Sequence, residues 1–420
     1  VHMSNKIYLC IDLKSFYASV ECVERGLDPF TTNLVVADPS RGGGAITLAA
    51  TPAIKKLGVQ SRGRIFEIPK YIDYIIAPPR MSLYMQYSAK IYSIFLKWIA
   101  KEDIHVYSID ESFLDVTPYL ALYKQTPKQI ARAILKDIMN ETGITATVGI
   151  GTNLFLTKVA LDITAKHTAD NMGYLDEETF RHTLWHHTPL TDFWMIGPGT
   201  QRRLENLGIR DMYGIAHCNQ DILYKTFGIN AEYLIDHSWG KESCEIQDIK
   251  SYSPSSTSIS NSQILFEDYS YIDAYLVMKE MVETNVLTLT AKHVVTSHVS
   301  LFIGYSKNVH PAARGSHKLT CKTNAYHILL AEFKTLYKKI VNPQYPVRQI
   351  AISFGNIEDE YYEQYDLFQD QTIVEKDKQL QESLVTIKQK YGKNAILKGM
   401  NLLEKATQKK RNTLIGGHNA

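Results

Sequence analysis

Cysteine is scarce in this sequence and shows no pairing pattern. Cys10, Cys22, Cys218, Cys244 and Cys321 are scattered over 420 positions without a C-x-x-C pair, which argues against a disulfide scaffold and a cysteine-ligated zinc. Long apolar runs are missing as well. No stretch approaches the roughly 20 residues a membrane span requires, and no charged-then-apolar leader is read at the start, so the chain is expected in the cytoplasm, with no membrane partner. With 23 Gly and 14 Pro, collagenous and low-complexity classes are excluded. An excess of one charge is also absent: the formal net is +2, and only its distribution can point to a partner.

What is present is the material of several cores, about three domains at roughly 150 residues each. Short β-branched or aromatic runs bounded by turn residues predict strands at 7–13, 33–38, 45–49, 74–77, 104–109, 112–116 and 145–150. Helical spacing predicts helices at 15–24, 83–100, 128–141 and 154–165, the last with Asn153 as N-cap. This is an α/β sheet domain. From 176 to 239 strand signals vanish and an all-helical unit is expected. After the Ser-rich stretch 251–262 the order becomes strand 258–266, helix 271–289, strand 294–304, strand 318–322, helix 325–340 and strand 347–353, one β-α-β-β-α-β unit. Both of its helices should cover one sheet face and leave the other free. Residues 251–357 carry ten Lys/Arg against six acids, plus five His, a mild nucleic-acid signal. Residues 358–420, with ten acids and ten bases, read as a polar extension, part helix and part mobile.

Three acids stand in expensive places. Asp12 ends an apolar strand, and Asp110-Glu111 sits at a sharp junction between two others. Singly they read as an N-cap and a turn acid. Together, carboxylates converging from neighbouring strands make a hard-oxygen site suited to Mg²⁺, which takes its other ligands from water and substrate phosphates. A pair of such ions about 4 Å apart serves phosphoryl transfer.

The segments Ile11-Asp12-Leu13-Lys14-Ser15-Phe16-Tyr17-Ala18-Ser19-Val20-Glu21 and Tyr107-Ser108-Ile109-Asp110-Glu111-Ser112-Phe113-Leu114-Asp115 resemble the two active-site motifs of Y-family, translesion DNA polymerases. The resemblance extends over 5–357 in motif order and is nearest the UmuC-like branch of Gram-positive bacteria and their mobile elements. It implies an α/β multidomain right hand: a ferredoxin-like palm (5–32 and 74–170), small fingers (33–73), a helical thumb with a helix-hairpin-helix (171–245), a β-α-β-β-α-β little finger (246–357) and a tail (358–420). Asp12, Asp110 and Glu111 match the catalytic carboxylates that hold two Mg²⁺ ions, with the Leu13 carbonyl as a further ligand. Ser15, Phe16, Tyr17, Thr51, Lys55 and Lys166 match the nucleotide pocket. The segment from Lys14 opens a helix whose N-terminus suits a triphosphate. Tyr17 matches the steric gate that rejects a ribose 2′-OH, although its ring also reads as a core anchor.

Some positions depart from the family. The stretch from Lys158 through Asp162 to Lys166 runs one residue long, Pro52 replaces a tyrosine, Arg62 aligns with a glycine, and Ile46 and Leu48 align with positions that are often small. Lesion choice is expected to differ accordingly. The segment from Met195 through Leu204 resembles a helix-hairpin-helix, whose Gly197, Gly199 and Thr200 would offer backbone N–H groups to a DNA phosphate. Gln364-Tyr365-Asp366-Leu367-Phe368 resembles the bacterial sliding-clamp-binding pentapeptide, with Gln364, Leu367 and Phe368 as anchors. The implied function is template-directed, low-fidelity DNA synthesis past damage, within an SOS-type response at the nucleoid. Its partners would be primer-template DNA, dNTPs and the clamp, with a recombinase filament or accessory subunits as further candidates. A catalytically silent scaffold binding DNA and clamp is the alternative, against which the intact carboxylates argue. A nucleotide cyclase sharing the palm is more distant, since the hairpin and little finger disfavour it.

Overall fold

The computed structural model describes residues 6–254, 258–360 and 370–420. It divides into two compact units, one running to Tyr252 and including 418–420, the other from Ser253 to Gly417. In the first, β1 (Tyr8–Leu13) is apolar at every position but Asp12, so it is buried on both faces and takes the centre of a five-stranded sheet. The excursion that follows contains α1 (Phe16–Glu24), a small sheet of β2 (Leu34–Val36), β3 (Ala49–Ala50) and β4 (Ile75–Ala77), and α2 (Pro52–Lys56). Next come α3 (Met81–Trp98), β5 (Ile104–Val106), β6 (Glu111–Asp115), α4 (Thr117–Tyr123), α5 (Pro127–Thr142), β7 (Ala146–Gly151), α6 (Leu154–Val159) and β8 (Met172–Leu175). The main sheet has the order β5-β6-β1-β7-β8, with β1 antiparallel to both neighbours.

A Cβ on Gly149 would lie 2.1 Å from the Thr157 carbonyl oxygen, and one on Gly151 2.4 Å from the Thr157 nitrogen. Helix α6 therefore rests directly on the backbone of β7. The helix expected over 154–165 does not stay α-helical: α6 ends at Val159, a π-turn follows over Ala160–Thr164, and a 3₁₀ turn over Ala165–His167. A π-turn is how a helix absorbs one surplus residue, and it falls within the stretch that runs one residue long. The strand expected at 45–49 is mostly absent. Pro39 and three consecutive glycines favour a 3₁₀ turn over Pro39–Gly44, after which Ile46 makes only a single bridge to Arg64. Strand β8 was not anticipated because Gly173 interrupts its pattern; a Cβ there would meet the Ala160 carbonyl oxygen at 2.6 Å.

The all-helical stretch is realised as α7 (Glu177–Leu184), α8 (Pro198–Glu205), α9 (Met212–Ala216), α10 (Gln220–Phe227) and α11 (Ala231–Ser238), followed by α12 (Ile246–Ser251). Asp176, Asp211 and Asn219 cap three of these helices. Their core, with Phe180, Phe193 and Leu204, is continuous with Phe155 and Val159 of α6.

The second unit runs β9 (Ile259–Tyr269), α13 (Tyr271–Ala291), β10 (Val294–Tyr305), β11 (Ala313–Thr323), α14 (Tyr326–Ile340) and β12 (Val347–Gly355) in the expected order, with sheet order β11-β10-β12-β9. Val299, Leu301, Ile350 and Phe354 join Val277, Met281 and Phe333 of the two helices in one core. The alternate positions, including Ser260, Ser262, Ser300, Ser316 and Ser353, are exposed or half-buried, with Arg314 and Lys318 exposed on the edge strand.

Most of what was read as a polar, partly mobile extension is docked on this unit. Helix α15 (Gln371–Tyr391) packs against α13 and α14, and a 3₁₀ turn (Gly399–Leu402) and α16 (Gln408–Arg411) follow. The anchor is Glu280 on α13, which is fully buried. It accepts the Asn401 amide and the Thr407 backbone N–H, both at 2.8 Å. Hydrophobic pattern did not disclose this contact because the anchors at Glu280 are polar. Glu280→Ala should leave these donors unpaired and lower unfolding stability by about 2–4 kcal/mol. Denaturant unfolding of the full chain checks this.

Candidate active site

Pairing of β1 with β6 sets Asp12 directly opposite Glu111. The Leu13 N–H donates to the Asp110 carbonyl at 2.9 Å, and the N–H groups of Tyr107 and Ser108 both donate to the Glu111 carbonyl at 3.0 Å. The β5–β6 turn is thereby folded onto the end of β1, gathering the three expected acids at one edge. Ser108 Oγ donates to Asp110 Oδ1 at 2.7 Å. Burial, reinforced by the charges of Asp110 and Glu111, pushes the Asp12 carboxyl up to about 7. Glu111 has a counter-ion: Lys158 Nζ lies 2.8 Å from its Oε1 and 3.0 Å from Asp162 Oδ1, and Cys10 Sγ donates to the same Glu111 oxygen at 3.1 Å. Burial opposes the Lys158 charge, but Asp162 and Glu111 outweigh it and hold the ammonium above the usual lysine range.

In the sequence Lys158 stands out only as a spacing landmark. Its signal was a lysine inside an apolar helical run, where a buried ammonium needs an acid partner. An oxygen-only donor set with a raised Asp12 fits a hard divalent cation. Among the described residues no group of three or more His, Cys, Asp or Glu side chains could cage a metal unaided, so other donors would have to complete its shell.

Beside the acids stands a group of lysines. Ser15 turns the chain from β1 into α1 with a left-handed backbone (φ 49°, ψ 45°), uncommon for a residue with a Cβ. Its Oγ accepts from Lys55 Nζ at 2.9 Å, while Lys14 Nζ donates to Asn171 Oδ1 at 2.6 Å. Burial lowers Lys55 and the charges of Lys14 and Lys166 add to this, whereas Asp12 acts in the opposite sense. These three lysines and Asp12 therefore share one electrostatic environment. Phe16 is buried, and Tyr17 is half-buried against Tyr84. Thr51 does not join the pocket as expected. It is fully buried, donates to the Thr32 carbonyl at 2.7 Å and accepts from the Leu34 N–H at 3.1 Å. Its hydroxyl is spent on capping α2, with Pro52 as the first helical residue.

Gly197 and Gly199 open α8 with nothing within 4 Å of where a Cβ would stand, leaving the hairpin accessible together with half-buried Thr200. Trp194, just before it, donates to the Tyr107 hydroxyl at 3.1 Å, which links the helical part to the β5–β6 turn. The pentapeptide with Gln364, Leu367 and Phe368 lies outside the described residues.

Residues 11–162 match the impB/mucB/samB family and 256–367 its C-terminal domain. The chain is 33% identical to the putative UV-damage repair protein UvrX of Bacillus subtilis over 98% of its own length and 97% of the relative's. It is 30% identical to DNA polymerase IV 2 of the same organism over 99% of both. Among solved structures, a Y-family DNA polymerase chimera superposes with a TM-score of 0.65 at 23% identity, over 84% of this chain and 99% of that one. In fold it is a palm, fingers, thumb and little finger architecture, and with two domains matched in order and whole-length relatives above 30% identity, the chain belongs to the impB/mucB/samB family, the UmuC-like Y-family polymerases.

Proposed function

We propose that this chain is a template-directed, low-fidelity DNA polymerase that synthesises past damaged bases, with Mg²⁺ held by Asp12, Asp110, Glu111 and the Leu13 carbonyl. The observation that carries the reading is the Asp12–Glu111 pair at the sheet edge, closed by the Asp110 carbonyl bond to Leu13 and flanked by Lys14, Lys55 and Lys166. When bound, such ions activate the attacking oxygen and neutralise charge on the transferring phosphoryl group. The chain's own residues do the rest. The lysines attract the triphosphate and offset its negative charge. Tyr17 stands where α1 begins and excludes a sugar bearing a 2′-OH. Gly197, Gly199 and Thr200 hold a DNA phosphate through backbone N–H groups, and the serine-rich free face of the second unit, edged by Arg314 and Lys318, tolerates close approach of a duplex whatever its sequence. Gln364, Leu367 and Phe368 remain proposed clamp anchors on their residue pattern alone. The silent-scaffold reading is not favoured, because a binding surface has no need to gather three acids at a buried edge.

Asp110→Ala should abolish primer extension while leaving primer-template affinity within a few-fold of wild type; extension assays paired with fluorescence anisotropy check both. A second expectation follows from Asp12. Its carboxyl rises from an ordinary value of 3.8 to about 7 on folding, so the folded state binds the proton more tightly than the unfolded chain. The associated stability is full below the unfolded value and is lost as pH climbs towards 7. Without metal, the melting temperature should fall between about pH 4 and 7 by an increment that Asp12→Asn removes. Mg²⁺ at pH 7.5 should raise the melting temperature of wild type and do so far less for Asp12→Asn, as read by differential scanning fluorimetry.

A further inference from the structure

A ring can reject a ribose hydroxyl only if it is prevented from moving aside. Tyr17 sits at the start of α1, where a tyrosine half-exposed to a pocket would ordinarily have more than one staggered position available. Behind it lies Tyr84 of α3, fully buried, with ring centroids 4.4 Å apart and planes inclined by 16°. Tyr84 thus closes one face of the Tyr17 ring.

Tyr84 is itself fixed. Its hydroxyl donates to Glu21 Oε1 at 2.7 Å, and Glu21 is fully buried one helical turn after Tyr17 on α1. Arg80, at the N-cap of α3 and one turn before Tyr84, donates to the same carboxylate from Nε at 3.0 Å and from Nη2 at 2.6 Å. Arg25 adds a further contact. The four residues close a square: Tyr17 and Glu21 on one helix, Arg80 and Tyr84 on the other, joined by a ring stack at one end and a charged hydrogen-bonded pair at the other. Burial works against the Glu21 charge, but hydrogen bonds from Arg80, Tyr84 and Arg25 hold the carboxyl below its ordinary range. Filling the gap between α1 and α3 would need only apolar side chains. A buried carboxylate is costly, and what this one adds is a directional bond that fixes the plane of Tyr84, and so the ring stacked on it.

We propose that Glu21, Arg80 and Tyr84 are positioning residues for sugar selection, holding Tyr17 in the orientation that excludes ribonucleotides. The proposal rests on the reading of Tyr17 as the sugar gate, and the test separates the two. Steady-state kcat/KM for dNTP and for the matching rNTP is measured on a primed template for wild type, Tyr17→Ala, Tyr84→Phe, Tyr84→Leu, Glu21→Gln and the Tyr17→Ala/Tyr84→Leu double variant. Tyr84→Leu is expected to cut the dNTP/rNTP preference by about tenfold or more, since small misplacements of a positioning group carry large kinetic penalties. Tyr84→Phe and Glu21→Gln should cut it less, and the double variant should match Tyr17→Ala alone. A merely structural role would lower both kcat/KM values together and leave their ratio unchanged. If Tyr17→Ala shifts the ratio while Tyr84→Leu and Glu21→Gln do not, the proposal is overturned and the gate stands. If Tyr17→Ala itself leaves the ratio unchanged, the gate reading fails and the proposal with it. Should Tyr84→Leu not fold, the near-isosteric Glu21→Gln decides alone, and an unchanged ratio there overturns the proposal.

Discussion

The antiparallel register that places Asp12 against Glu111 is the constraint from which the rest of the site follows. Two carboxylates facing each other at a sheet edge repel, and the structure answers that repulsion unequally. Glu111 receives a buried lysine, and Asp12 is left with a raised proton affinity. Lys158 can reach Glu111 because Gly149 and Gly151 let α6 lie on the bare backbone of β7. The glycines, the lysine and the two acids thus form one argument about space and charge, spread over three strands and a helix. The same edge meets the start of α1, so lysines that would favour a polyanion stand next to acids that would favour a divalent cation.

Much of this was legible in the sequence. Apolar runs located the central strands, and although each acid at their ends also reads singly as a cap or a turn residue, the three together pointed to the edge where the structure gathers them. The β-α-β-β-α-β order of the second unit was readable for a different reason: its strands alternate and its helices are long. Less legible were features that depend on close backbone approach. Strand β8 was hidden by Gly173, and the π-turn after Val159 showed itself only as one surplus residue. Thr51 illustrates the opposite error. The family resemblance counts Thr51 in the nucleotide pocket, yet fully buried next to the N-terminus of a short helix its hydroxyl is claimed by the chain's own backbone.

Polar contacts also explain why the C-terminal region misled. Hydrophobic patterning finds surfaces that bury oil, whereas α16 and the turn before it are held by Glu280 of α13, and α16 also by Gln263 of β9, which Thr407 and Arg411 engage. The Glu21 square between α1 and α3 has the same character: a buried carboxylate with several donors, joining helices that are distant in sequence. Neither cluster has a sequence signature beyond an acid at an apolar helical position. Such acids are informative in this chain because each one buried so deeply must be answered by partners elsewhere.

The most direct test of the account is single-nucleotide incorporation by the purified wild-type chain on a primed template in Mg²⁺, with each dNTP offered separately on undamaged and damaged templates. The account predicts incorporation that follows the template base, continues opposite a damaged one, and is lost on chelation of the metal. Tight binding of the primed template with no incorporation at any Mg²⁺ concentration would contradict it.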